Sequence, residues 1–220
     1  FGGVSDSQIP LDIIECFNIS DNRWTYCGQM PSPFVAGCVV SHEDSFYILG
    51  GRNGLDLGRH NKCYMYKPST NEWTSLSNMN VGRFNFGACV LNEHIFVFGG
   101  QRYDESVENF FTREALDSVE VFNLKNREWI TNNKNELKMP APLYNTGVMC
   151  FDEHDKYIYL CGTTECKYSN TKLFGFMFTS VFRMEFLGNS TDSKDISNLK
   201  LKWNIVEHDV SEIKTYYRCI

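Results

Sequence analysis

The side chains able to do chemistry are scattered along this chain rather than gathered. His42, His94 and His154 each stand beside acids, in the runs Ser-His-Glu-Asp, Asn-Glu-His and Asp-Glu-His-Asp. A histidine next to a carboxylate is the raw material of general acid–base catalysis or of metal binding. Here the three lie between apolar runs on separate segments, where polar turn residues are the ordinary explanation. The nine cysteines are odd in number and form no Cys-x-x-Cys pair, so neither a disulfide framework nor a zinc site is indicated. No phosphate-binding glycine loop, HExxH or GxSxG is present. The chain is read as non-enzymatic, with no catalytic residue, metal or cofactor assigned.

What it offers instead is recognition chemistry. Arg52 follows a glycine pair, while Arg59 with His60, Arg83 with Phe84 and Arg102 with Tyr103 set cations beside rings, and arginine and aromatic residues are enriched at contact surfaces. These seven are the candidate partner-binding residues. An acidic stretch with Asp104, Glu105, Glu108, Glu114 and Asp117 surrounds Phe110-Phe111. The apolar run Leu173-Phe174-Gly175-Phe176-Met177-Phe178 is expected to extend a strand or pack on a neighbouring sheet. A net charge of −6 without a Lys/Arg cluster argues against nucleic acid or an anionic membrane as partner. No apolar run reaches the length of a spanning helix, and Phe1-Gly2-Gly3-Val4 does not read as a signal peptide. The cysteine usage reads as reduced and cytoplasmic, in which case the Asn18 and Asn189 glycosylation sequences have no role.

The elements that position these residues repeat. Gly3, Gly51, Gly100 and Gly162 are 48, 49 and 62 residues apart, a period that marks a repeat architecture. In the first three units this glycine is the second of a pair, Gly2-Gly3, Gly50-Gly51 and Gly99-Gly100; in the fourth, Cys161 precedes Gly162. An apolar run such as Phe46-Tyr47-Ile48-Leu49 or Ile95-Phe96-Val97-Phe98 comes before each later one, and each is a strand candidate. An aromatic follows, at Phe17, Tyr66, Phe122 and Phe186, and then a tryptophan, at Trp24, Trp73, Trp129 and Trp203. The aromatic-to-Trp interval is seven in three units and 17 in the last. Cys38, Cys89, Cys150 and Cys219 recur at one earlier position and are read as core fillers. Each unit thus supplies four short strands, a to d: a carries the cysteine, b ends at the glycines, c ends at the aromatic and d begins at the tryptophan. Such a sheet buries both faces only by stacking on copies of itself, and radial stacking gives a β-propeller.

The glycine pair, spaced aromatic and tryptophan together resemble the kelch repeat over nearly the whole chain. The resemblance implies an all-β, kelch-type propeller of four-stranded antiparallel blades. It also implies more blades than this chain supplies, so an incomplete ring is expected, with edges and apolar faces that associate. The alternative is a four-bladed ring with a gap. The units are a partial blade over 1–30, blades over 31–78 and 79–138, a degenerate blade over 139–210 and the start of another over 211–220. Cys161 in place of a glycine suggests that the first position of the pair is set by close approach rather than by φ.

In such a meander the b–c and d–a connections emerge on one face. The long b–c intervals of units three and four and the long d–a interval of unit three all fall there, while only one c–d connection, within 187–202, is enlarged on the other. Long connections on a rigid scaffold are where binding resides, and kelch relatives resemble this arrangement. Some kelch substrate adaptors hold an acidic peptide with an arginine at a place similar to Arg83; Pro33 and Leu143 stand at the equivalent positions, so a full ring of arginines is absent. The resemblance implies a protein-interaction module, the substrate-recognition part of a cullin-type ubiquitin ligase adaptor, or else a cytoskeletal, actin-associated scaffold. Copper and iron enzymes share the fold, but the E-x3-D-x3-H pattern of the iron type does not occur.

Overall fold

The computed structural model describes residues 1–53, 61–91, 93–103, 113–130, 137–150, 157–167, 176–186 and 201–205. Every named element among them is a strand. The first sheet pairs β1 (Ile13–Asn18) with β2 (Arg23–Gln29). The second is a four-stranded meander of β3 (Cys38–His42), β4 (Ser45–Leu49), β5 (Cys63–Lys67) and β6 (Glu72–Ser75). In the third, β7 (Gly87–Leu91), β8 (His94–Phe98), β10 (Arg113–Asn123) and β11 (Glu128–Trp129) lie in that order, while β9 (Gln101–Tyr103) and β12 (Lys138–Leu143) also pair with β10. The fourth runs β13 (Thr146–Cys150), β14 (Tyr157–Lys167), β15 (Phe176–Phe186), β16 (Leu201–Ile205). All the pairings are antiparallel, as short connections require. Because β12 bonds to β10, the third sheet extends past the boundary expected at 138.

The repeated tryptophan has one structural job. Phe17 lies opposite Trp24, Tyr66 opposite Trp73 and Phe122 opposite Trp129, each across a c–d strand pair. The Tyr66 and Trp73 rings stack at 4.7 Å, and Phe122 and Trp129 meet at 5.1 Å. Such a pair is worth about 0.5–1.5 kcal/mol beyond the apolar area it buries. In the fourth sheet Trp203 lies opposite Met184, not opposite an aromatic; Phe186 is paired with Leu201. The longer interval there shifts the register and replaces the aromatic with a thioether.

In the second, third and fourth sheets the pair faces the preceding sheet. Ile48, Tyr66 and Trp73 pack with Ile14 and Met30; Phe122 and Trp129 pack with Tyr47, Leu49 and Met65; Met184 and Trp203 pack with Phe96, Phe98 and Val121. Three apolar layers therefore separate four sheets, which is how propeller blades stack. Cys38 and Cys89 lie in these layers as core fillers, while the side chain of Cys150, and Cys219 altogether, fall outside the described residues. Among the described residues no backbone hydrogen bond joins the fourth sheet to the first, so the described sheets are not closed into a ring.

The glycine pair is where blades join. The amide of Gly51 donates to the Arg83 carbonyl at 3.0 Å and that of Gly100 to the Leu143 carbonyl at 2.9 Å, both at the entry to the next blade. Both members of a pair sit at positive φ, 60° and 86° for Gly99 and Gly100. A Cβ on Gly100 would stand 2.6 Å from Phe86 Cβ, and one on Gly99 2.8 Å from Thr146 Oγ1. The expectation that close approach alone governs the first glycine is thus corrected, since Gly2, Gly50 and Gly99 all have φ between 56° and 66°. An L residue is strained there, and Cys161 avoids the conformation: β14 runs straight through it to Lys167 and pairs with β15 as a long hairpin. Phe176, Met177 and Phe178 fall in that hairpin as strand c, while 173–175 lie outside the described residues.

Candidate partner-binding face

Arg83 is fully buried and cannot meet a partner from where it stands. Its Nη2 donates to Glu120 Oε1 at 2.7 Å and to Ser118 Oγ at 3.0 Å, and its Nη1 donates to the carbonyls of Gly99 at 2.8 Å and Ser118 at 3.2 Å. The Glu120 carboxylate also accepts the amides of Asn80 at 2.7 Å and Val81 at 3.2 Å. Burial pushes the guanidinium pKa down and the Glu120 charge opposes it; an arginine stays charged through such a shift. The residue is a clamp between the connection into blade three and that blade's strand c. Its expected role as a binding residue is corrected on this ground.

Phe84 is buried as well, and it organises what surrounds it. Its backbone is locked in a two-way bridge with Gln101, at 3.0 and 2.8 Å. Arg52 Cζ lies 5.0 Å from the centre of its ring, Arg113 Cζ 5.7 Å, and the Tyr103 ring 5.3 Å. Arg52 Nη1 donates to the Tyr103 hydroxyl at 3.3 Å, and its backbone pairs with Val35. Cation–π contacts hold guanidinium groups flat on an aromatic face, so Arg52 and Arg113 are oriented before anything binds. The expected contact role of Phe84 is corrected: it is the floor of this group.

The other candidates separate. Arg102 is about half exposed and pairs with Glu114 at 2.7 Å, an ion pair worth no more than about 1 kcal/mol at a surface. Arg59 and His60 lie outside the described residues, as do 104–112. The base of the unit-three flap is a strand pair, with Tyr103 opposite Arg113 and Gln101 opposite Ala115. That pairing brings Arg113 to Phe84, and the sequence reading had missed it. Glu120 was also missed, although its place between Val119 and Val121 on an apolar strand is a signal for a buried charge needing a partner.

The histidines do not converge. His42 closes β3 and lies 3.9 Å from Glu93, while His94 is buried at the start of β8 with Nε2 3.1 Å from Asn123 Nδ2. His154 lies outside the described residues. Among the described residues no group of three or more His, Cys, Asp or Glu is placed to hold a metal ion. No described helix is long and apolar enough to cross a membrane.

Arg52, Arg113 and Tyr103 stand at the ends of sheets from which the b–c and d–a connections leave. Comparison with known proteins decides the family. A family model described as the KLHDC2/KLHL20/DRC7 Kelch-repeats domain matches residues 1–184. The chain belongs to the kelch-repeat family. This kelch chain is 26% identical over 134 residues to zebrafish (Danio rerio) Kelch-like protein 26 and 31% identical over 127 residues to mouse (Mus musculus) Kelch-like protein 40. It is 27% identical over 107 residues to the Kelch repeat and BTB domain-containing protein 2 of Horsepox virus. These alignments cover 58%, 57% and 49% of the kelch chain but only 20%, 19% and 19% of the relatives. The chain therefore spans about a fifth of their length. The solved structure of YjhT overlaps 92% of the chain and 54% of its own, with a TM-score of 0.65 at 15% identity, a likeness of fold. Kelch membership makes the chain a protein-interaction propeller module.

Proposed function

We propose that the chain is the partner-recognition region of a larger kelch protein, and that the partner meets the face bearing the b–c and d–a connections. The observation that carries this is the group around Phe84: Arg52 and Arg113 are held in place by the ring, and among the described residues neither has a carboxylate partner. A cation fixed in orientation and left unneutralised loses little freedom on meeting a ligand, which is how preorganised contacts raise affinity. The larger protein is a substrate adaptor of the cullin-type ubiquitin ligase kind, working in the cytoplasm. Supporting this are the Kelch-like relatives and the viral relative, whose name joins kelch repeats to a BTB domain.

The test is affinity capture with the full-length protein, native and Arg113→Glu, read by quantitative mass spectrometry. A cullin and a set of partners are expected with the native protein. Charge reversal should remove the partners and leave the cullin. Co-sedimentation with filamentous actin and no cullin would replace the adaptor reading with the scaffold. Partner recovery unchanged by Arg113→Glu would place recognition on another surface.

A further inference from the structure

A groove lies where the connection into blade two meets the strands of that blade. Pro33 and Phe34, from the connection into blade two, line it together with Tyr64 and Trp73 of strands β5 and β6. Arg52 and Lys62 are the charged residues of its lining. The rings are braced from behind, Trp73 stacked on Tyr66 at 4.7 Å and edge-on to Tyr64 at 6.3 Å. An apolar trough with rigid walls and a few polar groups is the usual form of a side-chain pocket.

The charges give the trough a direction. Lys62 is exposed; its carbonyl accepts the Gly50 amide at 2.9 Å, while its ammonium has no hydrogen-bond or ion-pair partner among the described residues. Arg52 is tied to Tyr103 through Nη1 alone, and its Nε is shielded from water without an acceptor. A buried donor left unpaired is a standing cost that an incoming acceptor relieves. Two unneutralised cations around an aromatic trough, in a chain of net charge −6, select an anion joined to an apolar group.

We propose that this groove takes one apolar side chain of a protein partner together with the carboxylates flanking it, the apolar group between Phe34 and Trp73 and the acids on Lys62 and Arg52. The proposal rests on the protein-interaction reading and adds to it a second contact site, separate from the Phe84 group except for the shared Arg52.

The probe is a fluorescein-labelled Glu-Glu-Leu-Glu-Glu peptide, followed by anisotropy with the full chain at low ionic strength. Saturable binding is expected, weakened about tenfold in a Gln-Gln-Leu-Gln-Gln peptide and similarly in Glu-Glu-Ala-Glu-Glu. Lys62→Gln should weaken it about threefold to tenfold with unchanged thermal stability, since the change leaves in place the carbonyl that accepts the Gly50 amide and removes only the exposed ammonium. Added salt should weaken it further. Absence of saturable binding, equal binding of the Glu and Gln peptides, or indifference to Lys62→Gln would each overturn the groove. Full-length protein that captures the same partners with and without Lys62→Gln, while the peptide fails, would remove this groove and leave the interaction module standing. Failure of both would remove the module as well.

Discussion

Arg83 and Glu120 meet at 2.7 Å inside blade three, the arginine fully shielded from water and the carboxylate almost so. Removing one member of a buried pair strands the other charge, at about 3–5 kcal/mol. Arg83→Ala is therefore expected to lower the urea midpoint sharply, because Glu120 would keep only the amides of Asn80 and Val81. Glu120→Gln should be milder, and the double variant less damaging than the sum of the two. An Arg83→Ala protein with native stability and weakened partner binding would instead return Arg83 to the contact surface.

The turns before the tryptophans offer a gain in stability. The residue at positive φ is Asn22 in unit one, Asn71 in unit two and Arg127 in unit three, at 50°, 54° and 60°. Asparagine adopts this region at less cost than arginine. Arg127 is exposed and its side chain holds no ion pair among the described residues, so Arg127→Asn or Arg127→Gly removes strain at little loss. Either change should raise stability by about 0.5–1 kcal/mol in equilibrium unfolding. A fall in stability would mean that the arginine stem makes packing contacts that outweigh its backbone strain.

Two glycines separate φ strain from crowding. A Cβ on Gly3 would meet nothing within 4 Å, whereas one on Gly100 would press on Phe86 Cβ at 2.6 Å and the Phe84 carbonyl at 2.7 Å. Gly3→Ala should cost about 1–2 kcal/mol, the backbone term alone, and Gly100→Ala about 2–4 kcal/mol, since Phe86 and the Phe84 floor must move. Equal losses would show that the surroundings of Gly100 relax freely.

One aromatic pair is left uncovered. Phe17 and Trp24 are placed as Tyr66 and Trp73 are, yet they are 39% and 67% exposed, with Tyr26 beside them at 66%. An exposed apolar patch of this kind drives association. The 220-residue chain is expected to self-associate with rising concentration, and Trp24→Lys with Tyr26→Lys to shift it toward monomer in light scattering. A native chain that stays monomeric at high concentration would require those rings to be covered by some other part of the protein.

The recurring elements were legible in the sequence because each marker answers to a local constraint. The Gly-Gly pair answers to a positive φ and a crowded seam, and the aromatic and tryptophan seven residues apart answer to one tight hairpin. What could not be read was set by pairings distant in sequence. Arg83 reads as a surface arginine until β10 brings Glu120 to it across 37 residues. Arg113 carried no signal until β9 folded onto β10. Cys161 was read as a tolerated substitute for glycine, whereas it removes the turn and lets the strands of the fourth blade run on. Two of the seven candidate residues, Arg52 and Tyr103, are brought together by Phe84, a third member that serves as their support.

Cysteine chemistry gives a test of the packing that needs no partner. Burial pushes the Cys63 thiol from 9.0 up to about 12, against hydrogen bonds that favour the thiolate. Folded and unfolded chains both keep this proton below pH 9, so it adds no pH dependence there. Between 9 and 12 the unfolded chain releases the proton and the folded chain retains it. Proton binding then favours the folded state less as pH rises, and stability falls by up to about 1.4 kcal/mol per pH unit. Cys63→Ala loses some packing but should show a shallower decline over that window, with the tyrosines and other thiols common to both proteins. At pH 8 the same burial predicts that iodoacetamide labels the exposed Cys16 and Cys27 in the native protein and reaches Cys63 and Cys89 only after denaturation. Labelling of native Cys63 as fast as Cys16 would mean that the layer between blades two and three opens to water far more readily than a packed core allows.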